Sequence, residues 1–238
     1  MKKVIVLSMV LAVLLGSGAV MAQSQVSLDG LYMMGNGSYD AVSTKDWALS
    51  LNGEVEVYSN VLVDASFASS WAYQKKGAAD FDKLPADELF KQDVLTVGAK
   101  YRLLADPSMA FSLGAGYAKA NIAVNTTDKD TLDGWGIYGK GDVKFAVSPQ
   151  ISVNGSVSYT PAANFTFDSD QAGFAKIDKI TGSIATGRGA VVYHFTDAVG
   201  VQVGITYSAV NASKGASGAD YKGDFSTTTY GAGVSFRF

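Results

Sequence analysis

Residues Tyr230 to Phe238 read YGAGVSFRF, and this closing stretch decides the fold. Counted back from the end, Phe238, Phe236, Val234, Ala232 and Tyr230 share one parity. Arg237, Ser235, Gly233 and Gly231 share the other. A repeat of two residues marks a β-strand with one apolar face. Something apolar has to cover that face, and the rest of the chain says what it is.

The alternation recurs upstream. It is clear around residues 26–34, 47–57, 61–74, 95–103, 109–117, 135–145, 151–159 and 199–208, and less clean around 188–195. In the 199–208 stretch Val199, Val201, Val203, Ile205 and Tyr207 alternate with Gly200, Gln202, Gly204, Thr206 and Ser208. With the closing stretch this makes ten predicted strands. The connections alternate in length as well. Short ones are expected near Tyr58–Asn60, Leu104–Ser108, Val147–Gln150 and Thr196–Ala198. Long polar ones are expected near Asn36–Lys45, Lys75–Gln92, Ala123–Asp133, Pro161–Ile180 and Asn211–Asp224. Interleaved short and long connections describe an all-β, closed, antiparallel up-and-down barrel, with ten strands expected and eight as the alternative.

A soluble barrel or sandwich would also alternate, but with its apolar face inward. Here the polar parity is too polar for a packed core, while the apolar parity is nearly free of charge, Lys119 excepted. Aromatic residues mark both ends of the apolar parity. Tyr32, Trp47, Trp71, Tyr73, Tyr117, Trp135, Tyr159 and Tyr207 fall toward the long connections, and Tyr101, Phe145, Phe195 and Phe238 toward the short ones. Two such girdles belong to a membrane-spanning barrel. Hydrocarbon offers no partner to a backbone amide, so a closed barrel is the one sheet that lipid tolerates.

The opening residues fit an exported protein. Lys2 and Lys3 precede an apolar run from Val4 to Leu15, and Val20-Met21-Ala22 supplies small residues for cleavage. A signal peptide over 1–22 and a barrel domain over 23–238 are therefore expected, against the alternative of an uncleaved anchor. The formal net charge of −3 and the lack of a basic face exclude a nucleic-acid partner. With no cysteine, disulfides, thiolate metal sites and lipoprotein attachment are excluded.

The terminal Phe238, with Phe236, Val234 and Tyr230 at alternate places before it, resembles the C-terminal signal of bacterial outer-membrane proteins. In pattern the whole mature chain is similar to small barrels of the outer-membrane protein A and opacity-protein kind. The resemblance implies an outer-membrane location with both termini in the periplasm. It also implies contact with outer-membrane lipids and lipopolysaccharide, and recognition by the barrel-assembly machinery through those four residues.

The polar parity places charge in the lumen. Asp29, Glu54, Glu56 and Asp64 lie on the first three strands, and Lys100, Arg102, Lys140, Asp142, Lys144, Arg188 and Arg237 on later ones. Nearly all fall toward the short connections, leaving the other half of the lumen mostly to Ser, Thr, Gly, Ala, Asn and Gln. The closing strand should bring Arg237 near Asp29. Two readings are open: an ion-pair network that fills a narrow barrel, or a charged constriction that filters ions or small polar solutes. The first makes the protein a structural or surface-interactive scaffold, and the second a narrow porin-like passive channel.

Enzyme and cofactor signatures are poor, and neither a cofactor nor a metal site is expected. The sole histidine, His194, lies by a short connection, where a lumen-packed role is expected; a barrel enzyme is the weakest reading. The run Gly134-Trp135-Gly136-Ile137-Tyr138-Gly139 matches a dinucleotide-binding fingerprint in letters only, because no helix follows it. Residues 128–134 depart from calcium-loop spacing and lack the distal Glu. The long connections are acidic, with Asp80, Asp82, Asp87, Glu88, Asp168, Asp170, Asp220 and Asp224. Phe165, Phe167 and Phe174 are expected to fold into the mouth, with contact to an unidentified surface ligand as the alternative. A short helix is expected near Pro85–Phe90.

Overall fold

The structure, a computed structural model, describes residues 26–39, 42–74, 90–125, 129–170, 176–213 and 222–237. Ten strands follow in order: β1 (Val26–Tyr39), β2 (Val42–Tyr58), β3 (Val61–Gln74), β4 (Phe90–Ala105), β5 (Met109–Asn125), β6 (Lys129–Ala146), β7 (Ile151–Ser169), β8 (Ile177–His194), β9 (Val199–Ser213) and β10 (Lys222–Arg237). Each pairs antiparallel with its successor, and β10 returns to β1, closing the barrel. The closing seam runs from Ser27 opposite Arg237 to Tyr39 opposite Phe225.

The four short turns lie where the sequence puts them. Between β2 and β3 the connection is Ser59-Asn60, and Asn60 has φ 65°, the left-handed conformation that asparagine tolerates in tight hairpins. The Glu56 carboxylate accepts a hydrogen bond from the Asn60 amide at 3.2 Å and helps hold this turn.

The other connections correct the expectation. Of the stretches read as long polar loops, Asn36–Tyr39, Val42–Lys45, Phe90–Gln92, Ala123–Asn125, Lys129–Asp133, Pro161–Ser169, Ile177–Ile180, Asn211–Ser213 and Lys222–Asp224 are strand. Residues 85–89 of the expected helix, and Phe174, lie outside the described residues, and Phe90 begins β4. The strands thus run from 14 to 19 residues, where about 9–11 suffice to cross a bilayer at a tilt.

The surplus length explains a change of phase along the wall. In the half near the short turns the outer surface is apolar: Val97, Leu113, Ile137, Val157 and Val203 are exposed. Tyr32 and Trp47 (5.6 Å between ring centres) and Tyr117 and Trp135 (6.1 Å) mark its upper edge, and Tyr193 and Phe195 (5.2 Å) its lower one. Beyond Tyr117 the pattern reverses. On β5 Lys119 and Asn121 face outward while Ala118, Ala120 and Ile122 are buried in the lumen. Leu132, Phe165, Ile180, Ile184, Val210 and Phe225 join them in one apolar cluster. Outside it, Asn121 donates to Asp133 at 2.8 Å, Thr166 to Asp178 at 3.2 Å, and Asn211 to Asp224. The expectation of an upper lumen filled mostly by small and polar residues is therefore corrected. Ser70, Gln92, Thr206, Ser208, Thr227 and Thr229 do line one side of it, but the other side is a packed apolar core.

On β7 the reversal needs a bulge. The β7–β8 register shifts between Thr160 and Ala163, and the β6–β7 register shifts between Trp135 and Gly139. Pro161 and Ala162 are both exposed, so the parity that carries Tyr159 outward then carries Ala163 and Phe165 inward. Bulges re-aim side chains in this way and accommodate proline within a sheet.

Three glycines make room for the large inward rings. A Cβ on Gly134 would collide with the Phe165 ring, and a Cβ on Gly98 or Gly116 with the Tyr138 hydroxyl. Two glycines of the fingerprint-like run thus serve packing: Gly134 seats Phe165, and Gly136 lies against Thr160.

Candidate functional site: a charged chamber beneath an apolar plug

Below Tyr138 the lumen opens into a cavity of about 570 Å³ that reaches the short-turn end, where Asp106, Pro107 and Ser108 form part of its rim. Tyr138 is 1% exposed and belongs to the apolar cluster above, so its ring separates the two compartments.

The chamber gathers ten of the eleven lumen charges singled out in the sequence, Asp29 excepted. Lys100, on β4, is buried between Glu54 of β2 at 2.5 Å and Asp142 of β6 at 3.0 Å. Lys140, two residues from Tyr138, pairs with Asp64 of β3 and stands 3.6 Å from Asp142. Arg102 meets Glu56 at 3.1 Å. These pairs cross the lumen from β2 and β3 to β4 and β6. The charges on each contributing strand share one parity, which is why residues 42 and 76 positions apart in sequence meet here.

Cations dominate the opposite wall. Arg188 of β8 donates to the Gln202 side-chain oxygen at 3.0 Å, and Gln202 donates in turn to the carbonyls of Gly30 (3.1 Å) and Val234 (3.0 Å). One buried amide therefore braces the β10–β1 seam. Arg237 lies 3.0 Å from His194 Nε2, with the Ser152 hydroxyl 3.3 Å from the same nitrogen. Arg237 stands opposite Ser27 on β1, and Asp29 opposite Ser235, so the expected neighbours are two positions apart along the seam. The Asp29 side chain lies outside the described residues, as does Phe238. Lys144, on β6, stands opposite Asn154 on β7. Tyr230 and Val234 of the closing stretch face outward.

At the rim, the Asp106 carboxylate accepts from the Ser108 hydroxyl at 2.5 Å and from the Ser108 amide at 2.9 Å. Both bonds favour the charged form and hold this carboxyl below the usual aspartate range. Tyr138 and Gln202 escaped the sequence reading as determinants. Tyr138 stood on the polar parity among lysines, and the glycines that seat it, Gly98 and Gly116, belong to strands β4 and β5. Among the described residues no three His, Cys, Asp or Glu side chains form a group able to hold a metal ion.

A sheet closed on itself, apolar outside between two aromatic girdles and charged within, is a transmembrane β-barrel. The chain belongs to the outer membrane protein beta-barrel domain family, whose model matches residues 10–176. Membership puts the protein in the bacterial outer membrane. No curated protein matches the sequence. In fold the barrel is similar to the outer membrane protease OmpT from Escherichia coli, with a TM-score of 0.58 at 10% identity over 90% of this chain and 96% of that one. It is also similar to OprG from Pseudomonas aeruginosa (TM-score 0.41, 13% identity, 90% of this chain and 96% of that one). A third likeness is to Ail, the attachment invasion locus protein of Yersinia pestis (TM-score 0.42, 11% identity, 90% and 99%). At 10% identity the likeness to OmpT bears on the fold alone.

Proposed function

We propose that this protein is an outer-membrane scaffold with a closed lumen, exported by a cleaved signal peptide and set with its short turns and both termini in the periplasm. Its working surface is then the outer end of the barrel, where polar strand extensions rise above the upper aromatic girdle toward lipopolysaccharide and external partners. The observation that carries this reading is the stacking of two seals. The apolar cluster fills one side of the upper lumen, with Tyr138 beneath it, and the pairs centred on Lys100 and Lys140 span the lower lumen. The buried Lys100 and Asp64 each have an opposite charge in contact, which is what a low-dielectric interior demands.

The second reading, a narrow passive channel, draws on the polar side of the upper lumen. A void of about 20 Å³ lies there among Ser70, Gln92, Thr206, Ser208, Thr227 and Thr229. That is room for about one water molecule, and too little for a hydrated ion. OmpT's protease activity belongs to OmpT, and here the sole histidine lies at the short-turn end against Arg237.

Single-channel recording of the refolded barrel in a planar bilayer tests the choice. A closed scaffold inserts and passes no steady current, and current appears once Tyr138 and Phe165 are both cut to alanine. Steady ion-selective openings of the unaltered protein would replace the scaffold with the channel.

A further inference from the structure

On β5 the lipid-facing parity carries a lysine, Lys119. It stands directly opposite Trp135 of β6 and Leu95 of β4, two residues beyond Tyr117. Tyr117 and Trp135 are a stacked pair of the upper girdle, and both rings are exposed. The lysine is therefore set within the girdle, at the level of lipid head groups, and its side chain is exposed. Among the described residues Lys119 makes no ion pair. The carboxylates one step higher, Asp93 and Asp133, both stand opposite Asn121. Asp93 is engaged by Ser69 and Lys91, and Asp133 by Asn121. On the β2–β3 side of the girdle Trp47 stands opposite Trp71, and the lysine there is already held. Lys91 lies 5.5 Å over the Trp71 ring and 3.6 Å from Asp93.

From this placement we infer that Lys119, Tyr117 and Trp135 form a docking site for the phosphorylated sugar head group of an outer-leaflet glycolipid. The ammonium pairs with the phosphate, and the exposed ring pair receives the apolar C–H face of the sugar. A lysine on the lipid face is tolerated at this height because its charge reaches head groups and water, whereas the same charge at the bilayer midplane is costly. That this face lies in the outer leaflet rests on the orientation proposed above; the contact itself does not.

Native mass spectrometry of the refolded barrel in detergent micelles, titrated with lipid A, tests the inference. Lipid A should be retained about fivefold more tightly than its dephosphorylated form, the effect of one lysine at an anionic head-group surface. Lys119→Gln should bring lipid A down to the dephosphorylated level, and Trp135→Leu should weaken both forms alike. Lys176→Gln, exposed beside the start of β8, should change neither. A heat-modifiable gel band for each variant guards against misfolding. Equal retention of the two forms by the unaltered barrel, or a preference that survives Lys119→Gln, overturns the site. Phosphatidylglycerol held as tightly as lipid A would overturn the glycolipid assignment, since any lipid phosphate would then serve. Displacement of lipid A by inorganic phosphate would do the same, since the free ion would then be the ligand. The orientation is read separately, in whole cells, by labelling Ser213→Cys at the exposed end of β9 with a membrane-impermeant maleimide; the chain otherwise lacks cysteine. Labelling without the lipid A preference overturns the site alone, and the preference without labelling overturns the orientation alone.

Discussion

The two halves of this barrel use the same ten strands and the same alternation with opposite sign. Near the short turns, apolar residues face out to lipid and charges face in; beyond Tyr117 and Trp135, apolar residues face in and Asn, Asp and Thr face out. The upper half is built like a soluble barrel standing on a membrane one. A period of two therefore says that a strand has two faces, and only the surrounding medium says which face is inside. On most strands the exchange is a gradual substitution of residue types, whereas on β7 it takes an inserted residue.

That contrast is most severely tested by deleting Ala162. Without the extra residue, Phe165 and Phe167 would turn outward and polar neighbours inward. The variant should fail to refold, seen as loss of the heat-modifiable band; a barrel that forms normally would show that the bulge does not set the phase. Phe165→Ala keeps the phase but empties the middle of the upper core. It should destabilise the barrel by about 3–5 kcal/mol in reversible urea unfolding, while an equivalent cut at a lipid-facing residue such as Val203 costs much less.

In the lower half, Asp64→Asn removes a buried partner from Lys140, which retains Asp142 at 3.6 Å. A loss of about 3 kcal/mol is expected, near the lower end for breaking a buried pair. Glu56→Gln, acting on the more accessible Arg102 pair, should cost about 1 kcal/mol or less. If the two losses prove equal, the chamber is wetter throughout than the burial of Asp64 and Lys100 implies.

The smallest effect belongs to the rim. Because Asp106 is held below the ordinary carboxyl range, its bonds to Ser108 are intact above that range and are lost as pH falls through the lowered value. Ser108→Ala should move the Asp106 carboxyl back upward in an NMR titration and leave the chamber pairs untouched.

The lower half was legible in the sequence because lipid imposes one demand on every strand: Val199, Val201 and Val203 need no knowledge of their neighbours to be placed outside. The chamber charges were legible for the same reason, since Lys100, Lys140 and Asp64 fall on the opposite parity. Their pairing was not, because it depends on how far each strand slides past the next; Arg237 consequently came to rest at His194, with Ser27 opposite it. The upper half was misread as loop because Asp133, Thr166 and Asp224 are the residues that loops also favour, and because a bulge at Pro161 breaks the count. Tyr138 was hidden by its need for two glycines on β4 and β5.

The seam between β1 and β10 also sets a timetable. Thirteen residue pairs, from Ser27–Arg237 to Tyr39–Phe225, join strands at opposite ends of the chain, so nothing made earlier can substitute for the final strand. Until it is released, β1 and β9 each carry an open edge that would pair with any neighbouring chain. The nascent protein must therefore be escorted unpaired until β10 is available. The order of events is then fixed: β10 is made before the wall can be shut.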